Sequence, residues 1–141
     1  MIMRKGNLLL MGLAFCVESA FGQIPCGLDG TAGGSACLEV DFLDSATLAE
    51  LGGGNNGNDC WGWVDPMSGR EFVLYGRSTG LAIVEVTDPT DMVYLANVPT
   101  STVASLWRDV KVYDHYAYIV SEASGHGMQV VDLNQVLDIA P

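Results

Sequence analysis

"WRDVKVYDHYAYIVSEASGHGMQVVDL" (residues 107–133) restates an earlier passage, "WGWVDPMSGREFVLYGRSTGLAIVEVTDP" (61–89). Gly80-Leu81-Ala82-Ile83-Val84-Glu85-Val86 aligns without a gap on Gly127-Met128-Gln129-Val130-Val131-Asp132-Leu133, at an offset of 47. The strand-like run before it, Phe72-Val73-Leu74-Tyr75, aligns on Ala117-Tyr118-Ile119-Val120 at an offset of 45. Gly125-His126 absorbs the difference in the connecting turn. Both passages are rich in β-branched and aromatic residues and are cut by turn residues every six to ten positions, which is a strand signature. A period in the mid-forties built from short strands is the sequence form of a propeller blade, and other repeats of that length are helical.

The strand pattern predicts seven strands, near 60–64, 71–76, 81–87, 92–98, 107–113, 116–121 and 127–133. No long crossover separates them, so sequential neighbours are expected to pair antiparallel as a meander. Pro66 and Pro89 fix φ inside turns, and Asp65 and Asp88 before them can bond the backbone ahead. The fold class expected is all-β: one to two blades of an incomplete propeller, over about 59–105 and 106–141.

Upstream the texture differs. Residues 1–22 read as a secretory signal. Arg4 and Lys5 precede an apolar run from Leu8 to Val17, and Ala20-Phe21-Gly22 supplies small residues before a cleavage at Gln23. Residues 23–58 read as loop and short helix. "DFLDSATLAELGGG" (41–54) predicts that helix, with Asp44 or Ser45 as cap and Gly52 to Gly54 as stop. Export favours disulfides. Cys26 and Cys37 bracket the Gly-rich "GLDGTAGGSA" and are expected to pair, leaving Cys60 as a buried free thiol beside Trp61.

The chain carries 17 acidic against 6 basic residues, for a net charge of −11. Nucleic acid is excluded as a partner, since phosphate binding needs clustered Lys and Arg. The Gly run at 52–54 lacks the Lys-Ser/Thr of a phosphate loop, and the Cys and His spacing gives no zinc pattern. No cofactor is indicated. Asp59, Asp65, Asp88 and Asp91 read as turn residues; a calcium-stabilised surface protein is an alternative, though no EF-hand spacing occurs.

Residues 55–133 resemble the start of the choice-of-anchor B family, secreted proteins with LVIVD-type propeller repeats. The most specific match is "SEASGHGMQV" (121–130), and "PCGLDGTAGGSACLEVDFLDSATLAELGGG" resembles the family's N-terminal segment. Cys60 departs from the family pattern, where an aliphatic residue is expected. The resemblance implies a propeller that continues well past residue 141, with a C-terminal surface anchor, and it implies no activity. Trp61, Trp63, Trp107, Tyr75 and Tyr118 then need neighbouring sheets, from the rest of a longer chain, to cover them.

Three residues are candidate ligand contacts. His126 lies between two glycines in a turn the first repeat lacks; it is either a ligand at the propeller face or a turn residue bonded to backbone. Arg108 must find a partner if it faces inward, and Asp109 or Glu122 are the candidates for a polar network between blades. Ser124, His126 and Asp109 form a catalytic triad only on paper, without a nucleophile elbow. The leading expectation is a secreted or surface-displayed, non-catalytic module binding an unknown protein or glycan. The alternative is a hydrolase or lyase with His126, Arg108 and Glu122 in the propeller channel.

Overall fold

The computed structural model describes residues 23–140; the secretory signal read at 1–22 lies outside them. The chain is mostly β. Two-residue strands β1 (Thr31–Ala32) and β2 (Ser35–Ala36) form a small ribbon. A four-stranded antiparallel sheet follows in the order β3 (Gly57–Val64), β4 (Glu71–Arg77), β5 (Gly80–Glu85), β6 (Val93–Pro99). A three-stranded antiparallel sheet takes β7 (Arg108–Tyr113), β8 (Tyr116–Ser121) and β9 (Met128–Asp132). All seven strands expected from the sequence are present, and sequential neighbours pair as a meander. A 3-10 helix at Leu133–Asp138 ends the described chain, with the Asp132 carboxylate accepting the Asn134 N–H at 3.0 Å as its cap.

The two sheets share one core. Trp63, Phe72, Leu74, Leu81 and Ile83 of the first pack against Val110, Ala117 and Ile119 of the second, and the 3-10 helix adds Leu133 and Val136. Trp63 stacks on Phe72 with ring centroids 5.2 Å apart. Arg70 ties the helix to the first sheet. Its guanidinium grips Glu85 through two hydrogen bonds (2.9 and 2.7 Å) and donates to the carbonyls of Leu137 (3.0 Å) and Ile139 (3.3 Å).

The disulfide between Cys26 and Cys37 is formed, with Cα atoms 5.9 Å apart. The short helix expected over 41–54 is not. That segment holds a single turn, Leu48–Gly52. Thr47 caps it, not Asp44 or Ser45: Thr47 Oγ1 accepts the Glu50 N–H at 3.3 Å while the Glu50 carboxylate accepts the Thr47 N–H at 2.7 Å, a capping box. Gly53 N–H then bonds Leu48 O and Gly52 N–H bonds Ala49 O, a Schellman stop with Gly52 at φ +87°. Start and stop signals lie so close together that no second turn can propagate. Asp44 instead accepts the Met92 N–H at 2.9 Å, fastening the segment to the first sheet. Leu51 thereby packs on Ala82 and Val84, on the face of that sheet away from the shared core.

The strand pairing also corrects the repeat alignment. Leu74 lies opposite Ile83, but Ile119 lies opposite Gln129, so the offsets of 45 and 47 are one residue out of step. Keeping the second, Val130 lies opposite Tyr118, and Tyr118 becomes the counterpart of Leu74. Tyr116 then matches Phe72. Across the neighbouring pairs Trp63 faces Phe72 and Tyr113 faces Tyr116, which matches Trp63 with Tyr113. On the 47-residue offset, the longer of the two matches at seven residues against four, the counterparts of the first sheet's core residues lie on the second sheet's outer face. Trp63, Phe72, Leu81 and Ile83 are 1–6% exposed or fully buried, whereas Tyr113, Tyr116, Met128 and Val130 are 36–78% exposed.

The same correspondence matches Cys60 with Val110. Val110 is sealed by the first sheet, whereas Cys60, expected to be buried, is an exposed free thiol. It stands on the outer face of β3, at an edge that the turn carrying Leu51 does not reach. Of the aromatic residues expected to need cover, Trp63 is buried, Tyr75 and Tyr118 are half-buried, and Trp61 and Trp107 stay exposed.

Candidate functional site

Arg108 opens β7, and alternation along the strand turns it with Val110 toward the first sheet. It is buried, at 3% exposure. Its Nε donates to the Arg77 carbonyl at 3.1 Å, and its Nη1 lies 3.4 Å from His126 Nε2. Burial pulls the guanidinium below its ordinary pKa. The expected network with Asp109 or Glu122 does not form. Asp109 projects to the opposite face and pairs with Lys111 at 2.7 Å. Glu122 is exposed and accepts from Ser105 Oγ (2.8 Å) and the Trp107 N–H (3.3 Å). It staples the loop entering β7 to the end of β8.

His126 is buried by a tight turn in which its N–H bonds Ala123 O at 3.0 Å. Its Nδ1 faces Thr102 Oγ1 at 3.1 Å and Ser101 Oγ at 3.4 Å. With Arg108 donating to Nε2, the neutral ring carries its proton on Nδ1 and gives it to the Thr102 hydroxyl. Burial first, and the Arg108 charge second, lower its pKa below the ordinary histidine value. Both ring nitrogens are thus engaged by residues other than Ser124 and Asp109, so the paper triad is not assembled. The ring bonds side chains rather than backbone, unlike the turn residue the sequence suggested.

Sequence reasoning missed Arg77. It is fully buried at the end of β4; its Nη1 donates to Gly53 O at 2.8 Å and its Nη2 to Asn97 Oδ1. Neither Arg77 nor Arg108 forms an ion pair among the described residues, and Arg77 Nε and Arg108 Nη2 have no hydrogen-bond partner there. The available signal was a lone Arg closing the apolar run "EFVLYG" immediately before a two-residue turn.

Asp59 was expected in a turn. It lies instead in β3, where the register shifts between Gly57 and Cys60. The shift carries its Oδ2 across to the second sheet, where it accepts the Val110 N–H at 2.9 Å and Lys111 Nζ at 3.1 Å. The Asp109 carboxyl, the Val110 amide and Lys111 together hold the Asp59 pKa down at about 2. Lys111 also sits 4.6 Å over the Trp61 ring. Beside this cluster a groove of about 520 Å³ is lined by Asn58, Asp59, Trp107, Arg108, Asp109 and Glu122 among others. It gathers Arg108 and Glu122 of the sequence candidates and leaves His126 outside. No group of three or more His, Cys, Asp or Glu among the described residues has the geometry to hold a metal ion.

These contacts explain position and charge compensation between two sheets. They do not align a nucleophile with a base. No helix among the described residues is long and apolar enough to cross a membrane. Comparison of the chain with protein-family models, with curated proteins and with solved structures finds no match.

Proposed function

We propose that the chain is part of an extracellular β-propeller of LVIVD-type repeats, related to the choice-of-anchor B proteins, acting as a non-catalytic module that binds a protein or glycan. The observation that carries this reading is the outer face of the second sheet. Tyr113, Tyr116, Met128 and Val130 stand there exposed, at positions whose counterparts in the first sheet are buried by the sheet that follows. Regular repetition then calls for a further sheet of the same kind, contributed by more of the same polypeptide. An exposed apolar patch of this kind marks an interaction surface. The Cys26–Cys37 bridge fits an oxidising compartment. The engagement of His126, Arg108 and Glu122 in structural bonds favours binding over catalysis.

Hydroxyl-radical footprinting tests the reading, comparing protein purified from its natural source with residues 23–141 produced alone. The reading expects Tyr113, Tyr116 and Met128 to be protected in the first and labelled in the second. Equal labelling in both would contradict it.

A further inference from the structure

The correspondence between the sheets has a second side. The face by which the second sheet sits on the first carries Val110, Ala117, Ile119 and Val131. Its counterpart on the first sheet is the outer face with Cys60, Val73, Tyr75 and Val84. Among the described residues no sheet lies on that face. Residues 44–54 lie across part of it, with Leu51 at 8% exposure over Ala82 and Val84. The segment is latched at both ends, by the Met92 N–H on Asp44 (2.9 Å) and by Arg77 Nη1 on Gly53 O (2.8 Å). Between the latches a half-open pocket of about 350 Å³ lies where the segment meets the sheet, lined by Leu48, Leu51, Val73, Tyr75, Val84 and Met92 among others.

We propose that residues 44–54 are a detachable cap that blocks head-to-tail docking of a second copy of this chain. The occupant that fits the capped face is the exposed outer face of another copy's second sheet. Within one copy, the buried residues matching that outer face already pack against the counterpart of the capped face. Such a contact joins two different surfaces, so it repeats head to tail and builds a ring or an open filament according to whether the rotation between sheets closes. The cap removes one of the two surfaces. An exposed apolar sheet face is a standing hazard of this kind, and the cap limits it to one side of the molecule. The inference rests on the repetition that underlies the proposed function. It concerns the chain of residues 23–141, whose outer face is open; a further sheet on that face would take the docking surface away.

Sedimentation velocity on residues 23–141 tests it, with far-UV circular dichroism confirming that each variant is folded. Wild type, with one of the two docking surfaces capped, is expected to remain a monomer. Leu51→Asp places a charge beneath the cap, and the weight-average mass should rise at least about threefold as copies dock head to tail. Adding Val130→Lys on the opposite, exposed face should return the variant to wild-type size. Asp44→Ala, which releases only the Met92 latch, is read the same way if Leu51→Asp does not fold. The proposal is overturned if a folded cap variant sediments like wild type, or if its growth persists with Val130→Lys. Footprinting of Tyr113 and Tyr116 in the natural protein reports on the propeller reading separately, so the two can fail independently.

Discussion

Arg70 and Glu85 offer the sharpest energetic prediction. The guanidinium makes a two-point grip on the carboxylate at 2.9 and 2.7 Å, with side chains only 19% and 9% exposed. Thr87 Oγ1 adds a third bond to Glu85 at 2.7 Å, and Arg70 lies 5.1 Å from the Phe72 ring centroid. The same Arg70 closes the end of the 3-10 helix that inserts Leu133 and Val136 into the core. Arg70→Met leaves a buried carboxylate with only a hydroxyl for company, so the loss should fall at the lower end of the range for a broken buried pair, about 3 kcal/mol. Glu85→Gln keeps the shape and loses the charge, and should cost about 2 kcal/mol. The double variant should cost little more than Arg70→Met alone, which gives a coupling of about 2 kcal/mol in a urea-unfolding double-mutant cycle. The pair lowers the folded pKa of Glu85 and raises that of Arg70. The coupling should therefore be complete above the ordinary carboxylate value of 4.5 and fade as pH falls through the lowered folded value. Additivity of the two single variants within about 0.5 kcal/mol at neutral pH would refute the reasoning.

Three further outcomes are expected. His126 is neutral in the folded chain and titrates below 6.5, whereas the unfolded chain takes up its proton near 6.5; its share of the stability should be complete above that pH and decline as pH falls below it, in step with the His126 ring signals by NMR. Cys60 should react with a maleimide at mildly alkaline pH without denaturant, while Cys26 and Cys37 stay unmodified until reduction. Replacing Cys26 and Cys37 with Ser removes a loop constraint worth about 3 kcal/mol; amide exchange should quicken at Phe42, whose N–H bonds Ile24 O, and stay unchanged at Leu74 and Ile83.

The strands were legible because turn chemistry and β-branched runs act locally: Asp65 and Asp88 bond Ser68 and Thr90 in the turns they mark. Register was harder to read. β5 is buried along its whole length, so both its faces are apolar and a one-residue slip costs the pattern nothing. The 44–54 segment was misread because Asp44 has two possible employers, a helix terminus or the Met92 amide, and only tertiary packing chooses between them. The candidate site was legible as residues but not as a network. Arg108 finds its acceptor on Arg77 and its neighbour in His126, contributions from two other hairpins that become visible only once the sheets are docked. Cys60 looked buried beside Trp61 because local composition does not reveal which corner of a sheet stays uncovered.

The register of β8 against β9 tests the central claim most directly, because it decides which side chains face outward on the second sheet. Cross-strand proton contacts by NMR should place Ile119 opposite Gln129 and Tyr118 opposite Val130. Finding Ile119 opposite Val130 instead would put Val130 in the shared core and remove the correspondence between the two sheets.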